Sequence, residues 1–328
     1  MKNIEQDLIE RAKKLNKTII LPEAEFCHRV AKAGCLAKDF AQIVMVGHED
    51  IVKKENPDCD FSGIKFVNAE NVDMDKLSDI LYETRKNKGM TKELAVEEIK
   101  NNPVMLATML LKVGEVDGLV SGAKTSTANT LKPGLQVIKS KPGINTISSC
   151  FIFYDGYNKD IGDDGVMVFA DCGLNINPTS EQLVDIVSST VDTARDILDI
   201  EPRIAMLSYS TMGSAKGEVP DKMNQAKELI QAKYPDLLID GEYQVDAAIR
   251  PEVAKTKAPN GKLKGNANIL IFPDLQSGNI GYKLFQNAGK SKAIGPVMQG
   301  FNKPINDLSR GAKVDEIVVC IALTALQK

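Results

Sequence analysis

The 328-residue chain carries 41 Lys and Arg against 44 Asp and Glu, a formal net charge of -3, and 43% of its residues are hydrophobic. That length suffices for two packed cores, and a balanced charge without long basic runs excludes the electrostatic footprint of a DNA, RNA or membrane-surface binder. No stretch approaches the roughly 18 apolar residues of a spanning helix. The N-terminus, Met1-Lys2-Asn3-Ile4-Glu5-Gln6-Asp7, is charged, so a cytoplasmic protein with small soluble partners is expected.

In chain order, Asn3 to Leu15 has helical spacing, Thr18 to Leu21 is a short buried strand closed by Pro22-Glu23, and Ala41 to Gly47 is another strand. Arg85-Lys86-Asn87-Lys88-Gly89 ends a helical stretch. Asp117 to Gly122 is a third strand running into a Gly turn. Strands separated by helix-length segments predict a parallel sheet with helices on both faces. A second set follows: Ser149–Tyr154, Val166–Asp171, Ile204–Ser210 and Ala267–Phe272 are near-continuous apolar runs, as in strands buried on both faces. Gly156 to Gly165 reads as a hairpin or loop, and Pro251 to Gly265, rich in Lys and Pro, as a surface loop. Thr179-Ser180-Glu181-Gln182 has capping-box spacing before Leu183, Ile186 and Val187, so a helix starts there. Val314 to Leu326 is the last apolar helix.

The six cysteines are scattered without a CxxC pair, and with two histidines a zinc site is poorly supplied. Reduced, mostly packed thiols are expected. Cys27 beside His28 is the catalytic alternative, but sequence neighbours need not face each other.

Five stretches carry chemistry. Asn302 to Gly311 is a loop opening the last helix, and with Asp315 and Glu316 it places a hydroxyl (Ser309), a guanidinium (Arg310) and two carboxylates together. The carboxylates equally suit the positive end of a helix dipole. Ala123 to Gly134 sets Ser126, Thr127 and Thr130 at a strand-to-helix junction, where they either cap the helix or donate to a phosphate. Gly213-Ser214-Ala215 and Gln276 to Lys283, with Asn279 and Tyr282, are small-residue turns that line a ligand edge or pack closely. The cations at Arg85 to Lys88 complement a helix C-terminus or hold an anion. GxxxxGK[ST] and GxGxxG are absent, which counts against a P-loop or a simple dinucleotide fingerprint.

Taken jointly, nearly the whole chain resembles the phosphate acetyltransferase (phosphotransacetylase) family. The resemblance runs through Ile19–Glu23, Asp117–Ala123, Phe169–Cys172, Asn177–Thr179, Glu201–Thr211, Asp240–Glu242, Ser277–Lys283, Ile294–Pro296 and Asn302–Gly311, in that order. It implies an α/β protein with a two-domain three-layer α/β/α fold of the isocitrate/isopropylmalate dehydrogenase-like type. The first domain would comprise residues 1–146 plus 301–328 and the second 147–300, with the site in the interdomain cleft and a homodimer as the assembly. The implied reaction is reversible acetyl transfer between acetyl phosphate and coenzyme A, with no metal and no cofactor, coenzyme A being a substrate. A thiol with an ordinary pKa of about 8.5 needs a base, and the resemblance gives that role to Glu316, with Asp315 as the alternative. Ser309 becomes the oxyanion donor and Arg310 the phosphate clamp, a role suited to a planar fork. Arg85, Lys132, Ser126, Thr127, Thr130, Asn279 and Tyr282 become substrate-binding residues. The family's common residues are replaced at Glu316 (Asp), Lys132 (Arg), Thr125 (His), Asn129 (Asp), Met212 (Lys) and Asp274 (Glu). The competing expectations are a phosphate butyryltransferase, an inactive relative that binds coenzyme A or acetyl phosphate, and an isocitrate-type dehydrogenase. The last lacks a convincing cluster of metal-ligand aspartates.

Overall fold

The structure is a computed structural model describing residues 4–154, 156 and 159–328. Asn3, the charged Met1-Lys2-Asn3 start, and Tyr157 and Asn158 of the expected Gly156–Gly165 loop lie outside the described residues. The first stretch runs α1 (Ile4–Leu15), β1 (Thr18–Leu21), α2 (His28–Ala37), β2 (Gln42–Val46), α3 (Glu49–Glu55), β3 (Lys65–Val67) and α4 (Met74–Arg85). It continues through α5 (Lys92–Asn101), α6 (Pro103–Val113), β4 (Gly118–Ser121) and α7 (Thr127–Pro133). Next come β5 (Ser148–Tyr154), β6 (Met167–Ala170), α8 (Ser180–Asp192), β7 (Ile204–Leu207), α9 (Glu218–Lys233) and β8 (Ile239–Tyr243). The chain closes with α10 (Val245–Ile249), α11 (Pro251–Lys257), β9 (Ile269–Ile271), α12 (Leu275–Ala288), β10 (Lys292–Gln299), β11 (Ile305–Asp307) and α13 (Val314–Leu326).

The chain divides into two compact units, Met1–Pro142 with Phe301–Lys328, and Gly143–Gly300. The first holds a five-stranded sheet in the order β11-β4-β1-β2-β3, with every pairing parallel. Parallel strands need crossover helices, and α1, α2 and α13 pack together while α4, α5 and α6 form a second group. Because the β1 strand is covered on both faces, Ile19, Ile20 and Leu21 are fully buried. Each such side chain contributes about 1.5–3 kcal/mol relative to exposure. Helix starts follow local chemistry: Asn102 caps α6 ahead of Pro103, and the Ser126 hydroxyl accepts from Asn129 N at the start of α7.

The second unit holds a six-stranded sheet in the order β10-β5-β6-β9-β7-β8. It is mixed: β10 and β6 run antiparallel to β5, and the remaining pairs are parallel. Its core is aromatic, with Phe153 at 4.8 Å from Phe169 and 5.1 Å from Phe285, ring centre to ring centre. The Thr179–Gln182 capping box opens α8 as expected.

Three expectations need correcting. Asn302–Gly311 is not all loop, because Ile305–Asp307 joins the first sheet as β11 beside β4. The stretch Gln276–Lys283 lies inside helix α12 rather than a turn, and a Cβ on its buried Gly278 would sit 2.5 Å from the Asp171 carbonyl oxygen. Pro251 to Lys257 is helical, since proline is tolerated at the first helical position, where its missing N–H has no partner to lose.

Candidate active site

In the first unit three neighbouring parallel strands, β11, β4 and β1, end side by side, and the turns that follow them are tied together. Ligands favour this carboxyl edge of parallel sheets. Glu23, just past β1 and with no exposed surface, spends its carboxylate on the turn after β4. Its Oε2 accepts Ala123 N at 2.8 Å, and its Oε1 accepts Lys124 N at 2.9 Å and Thr125 N at 2.7 Å. Arg29, in the first turn of α2, donates to the carbonyls of Ala123 and Arg310, each at 3.0 Å, and to that of Ala312. One guanidinium thus stitches the turn after β4 to the turn after β11. Leu308 N donates to Ser121 O at 2.7 Å, which brings those two turns into contact at their origin. Gly122, at φ +108°, is required there: a Cβ would lie 2.3 Å from Asp307 Oδ1 and 2.6 Å from Leu308 N.

On this frame Ser309, Arg310 and Gly311 are exposed. The Ser309 hydroxyl accepts Gly311 N at 3.3 Å and the Ser309 carbonyl accepts Ala312 N at 2.9 Å, so the turn is closed by its own groups while the Arg310 side chain is presented outward. Glu316 accepts Lys313 N at 2.8 Å through Oε2, capping its own helix, and Asp315 beside it is exposed in the same first turn. Ser126 and Thr127 are exposed at the start of α7, whereas Thr130, one turn later, is buried. Lys132 is exposed on the same helix. Arg85 ends α4, half-buried, and its Nε is buried without a hydrogen-bond partner among the described residues.

Thr125, Asn129 and Lys132 border a cavity of about 340 Å³, closed on the other sides by the exposed Phe26 ring and by the Asn102–Met105 start of α6. The structure therefore brings Thr125, Asn129 and Lys132 to one cavity wall.

Asn279 and Tyr282 belong to the second unit and are engaged in its packing. Asn279 donates to the Cys172 carbonyl at 3.2 Å, and Tyr282 stacks on Phe151 with ring centres 4.1 Å apart. The same unit carries two buried carboxylates that the sequence reading passed over. Asp171 accepts the Ser149 hydroxyl at 2.6 Å and the backbone N–H groups of Gly173, Leu174 and Asn175. Glu242 accepts Gly213 N at 2.8 Å and the Ser210 hydroxyl at 2.7 Å. Burial works to raise the Glu242 pKa, but those donors and the Asn224 amide outweigh it and hold the carboxylate below its ordinary range.

Sequence reasoning also missed Glu23, Arg29 and Asp307 in the first unit. Asp307 is 3% exposed, and burial pushes its carboxyl up to about 6, with Glu23 adding to the rise and the Thr127 and Thr130 hydroxyls and Arg310 pulling against it. The available signal was positional: a lone acid in the apolar frame Ile305-Asn306-Asp307-Leu308, and a Glu immediately after a strand. The six thiols are free, with burial pushing Cys320 and Cys35 up to about 12. Among the described residues no group of three or more His, Cys, Asp or Glu side chains is arranged to hold a metal ion, and no helix is long and apolar enough to cross a membrane.

Comparison with known proteins adds a consistent result. A family profile described as Phosphate acetyl/butaryl transferase matches residues 3–325. The phosphate acetyltransferase of Clostridium acetobutylicum is 47% identical over 329 aligned positions, covering 98% of each chain. Among solved structures, the EutD phosphotransacetylase from Staphylococcus aureus superposes with a TM-score of 0.89 at 39% identity, covering 98% of both chains. A phosphotransacetylase from Streptococcus pyogenes gives the same TM-score, 0.89, at 40% identity, covering 100% of this chain and 99% of that one. With a three-layer α/β architecture shared along its whole length, the chain belongs to the phosphate acetyl/butaryl transferase family.

Proposed function

We propose that this chain catalyses reversible transfer of an acetyl group between acetyl phosphate and coenzyme A, without a resident cofactor or metal, in a ternary complex assembled around the Ser309–Arg310 turn. The observation that carries the proposal is the Arg29 and Glu23 bracing, which fixes the turns after β4 and β11 while leaving Ser309 and Arg310 exposed. Binding energy is most useful to catalysis when such donors are held before the reaction begins.

In the forward direction the coenzyme A sulfur attacks the acetyl carbon as its proton passes to a carboxylate. Glu316 is the base, with Asp315 its alternative. Oε2 of Glu316 is committed to Lys313 N, and a carboxylate retains acceptor capacity on its other oxygen for the thiol proton. Negative charge collects on the acetyl oxygen, where the Ser309 hydroxyl donates. Collapse of the tetrahedral intermediate breaks the bond from carbon to the phosphate oxygen, and the Arg310 guanidinium holds the leaving phosphate in bidentate fashion. Arg85, whose Nε lacks a hydrogen-bond partner among the described residues, and Lys132 on the cavity wall supply cations for the remaining anionic groups, with Ser126 and Thr127 as neutral donors and Thr130 buried beneath them. Asn279 and Tyr282 are the contributions proposed from the second unit. The proposal includes the isocitrate/isopropylmalate dehydrogenase-like fold type, a homodimer and a cytoplasmic setting, all carried by the family resemblance.

The test is arsenate- or phosphate-dependent consumption of acetyl-CoA by the purified protein, run beside Arg310→Ala and repeated with butyryl-CoA. Consumption that requires the anion and collapses in Arg310→Ala supports the proposal. Faster turnover of butyryl-CoA would reassign the acyl group, and coenzyme A binding without turnover would replace catalysis by binding.

A further inference from the structure

The cavity of about 340 Å³ in the first unit has two unlike walls. One is a face of α7 and of the turn of helix that continues it, where Thr125, Asn129, Lys132 and Gln136 recur at helical spacing. None of these four side chains has a hydrogen-bond or ion-pair partner among the described residues. On the wall formed by the start of α6 the polar groups are already spent. The Asn102 side-chain oxygen accepts Val104 N at 3.1 Å and Met105 N at 3.2 Å, and its amide nitrogen donates to Glu98 at 3.0 Å. Phe26 closes the cavity with a ring left 50% exposed. Its loop is held on both sides: Phe26 N donates to Glu23 O at 3.3 Å, and Oε2 of Glu25 accepts His48 N at 2.5 Å and His48 Nδ1 at 3.1 Å. An exposed ring on a fixed loop, together with a row of uncommitted polar groups, suits a small-molecule site, and the volume falls within the roughly 300–1,000 Å³ of such sites.

We propose that this cavity holds the pantetheine arm of coenzyme A, with the thiol end at Thr125 and the phosphate end at Lys132. The inference rests on the acyl-transfer reading and names the part of the substrate that these walls take. The arm is a chain of secondary amides separated by methylene and dimethyl-substituted carbons. Its amides match the uncommitted donors and acceptors of Asn129 and Gln136, and its carbons match the Phe26 ring and the Val104 and Met105 side chains. Acetyl phosphate brings neither amides nor an apolar chain to these walls. The direction follows from the frame of the site. Glu23 holds Thr125 N at 2.7 Å, and Arg29 ties the Ala123 carbonyl to that of Arg310, so the Thr125 end adjoins the turn where the sulfur reacts. Lys132 stands about 10 Å farther along the α7 face, at 1.5 Å per residue, where the arm gives way to the pyrophosphate and a cation is useful. Contacts of this kind, remote from the reacting atoms, supply binding energy that orients the sulfur.

The experiment is calorimetric binding of coenzyme A and of pantetheine to the wild type, Phe26→Ala, Phe26→Tyr, Asn129→Ala and Lys132→Ala, with acetyl-CoA formation and thermal unfolding followed in parallel. Phe26→Ala and Asn129→Ala should each raise both dissociation constants about tenfold, the scale of one apolar or hydrogen-bonded contact. Phe26→Tyr keeps the ring and should keep the wild-type values. Lys132→Ala should weaken coenzyme A alone, because pantetheine carries no phosphate. All three side chains are exposed, so the unfolding temperature should not move. Three results would each overturn the inference: no pantetheine binding to the wild type, pantetheine binding indifferent to Phe26→Ala and Asn129→Ala, or a Lys132→Ala loss as large for pantetheine as for coenzyme A. Weakened coenzyme A with untouched pantetheine in Phe26→Ala would give the cavity to the nucleotide end instead. A wild type that binds both molecules in the expected pattern and forms no acetyl-CoA would overturn the acyl-transfer reading and leave the placement of the arm standing.

Discussion

Replacing Glu23 by Gln keeps the shape of a side chain with no exposed surface and removes its charge. In the native protein its two oxygens accept three backbone N–H groups, from Ala123, Lys124 and Thr125. A glutamine offers one oxygen. In its better orientation that oxygen keeps Lys124 and Thr125, and the new amide group then faces the Ala123 N–H donor to donor. One buried donor is lost outright, and the two retained bonds lose their charge assistance. Hydrogen bonds to charged groups contribute about 1.5–3 kcal/mol each, so a local cost of about 2–4 kcal/mol follows. Hydrogen exchange at these three amides reads that cost directly, and 2 kcal/mol corresponds to roughly 30-fold faster exchange if they exchange by local opening. Because Arg29 also holds the Ala123 carbonyl, the loosening should reach the Arg310 turn and lower kcat. Unchanged exchange at residues 123–125 in Glu23→Gln would refute the claim that this carboxylate organises the turn.

Three further substitutions follow from the same structure. Gly122→Ala places a Cβ 2.3 Å from Asp307 Oδ1 at a φ of +108°, so it should destabilise the first unit by about 2–4 kcal/mol in denaturant titrations. Asp307 has a folded pKa raised from 3.8 to about 6, so stability falls as pH rises between those values and the penalty is complete above them. Asp307→Asn should therefore be more stable than the wild type at pH 8 by up to about 3 kcal/mol, at 1.36 kcal/mol per pKa unit, and equally stable near pH 3. The hydrogen bond that His48 Nδ1 donates to Glu25 Oε2 raises the pKa of half-buried His48 above its ordinary 6.5, and NMR titration of Glu25→Gln should return it toward that value. Whatever stability this pair contributes is present below pH 6.5 and is lost as pH rises through the folded pKa.

Strands buried on both faces announced themselves in the sequence, and Thr18–Leu21, Gln42–Val46 and Ser148–Tyr154 fall within the apolar runs read there or at their margins. The strands that escaped are those whose pairing does not depend on an apolar run. β3 and β11 have three residues each, too few to show alternation. β8 carries Asp240 and Glu242 inward, which is tolerable because the Tyr243 hydroxyl and the Ser210 hydroxyl donate to them, each at 2.7 Å. β10 is interrupted by Gly295-Pro296, where its register against β5 shifts. Helix α12 was concealed by Gly278 and Gly281, residues of low helix propensity that the close approach of the Asp171 backbone requires at Gly278.

At the site, Ser309, Arg310 and Glu316 were legible only as candidates, the first two from their spacing beside a helix start and Glu316, over Asp315, from the family resemblance. Glu23, Arg29 and Asp307 were not, since a charged residue in sequence looks like a solvated one. Only the tertiary pairing of β11 with β4 and β4 with β1 reveals that Glu23 meets residues 100 to 102 positions away and Arg29 meets residues 281 and 283 positions away. Thr130 shows the converse: its hydroxyl looked available in sequence and is buried in the fold.

The most direct test of the account is acetyl-CoA formation from acetyl phosphate and coenzyme A by the purified protein, followed by thioester absorbance, with Arg310→Ala in parallel. The account predicts turnover that needs both substrates and falls on the order of 100-fold or more in the variant, the scale of losing one preorganised charge contact. Thioester formation at equal rates in the two proteins, or none in either, would contradict it.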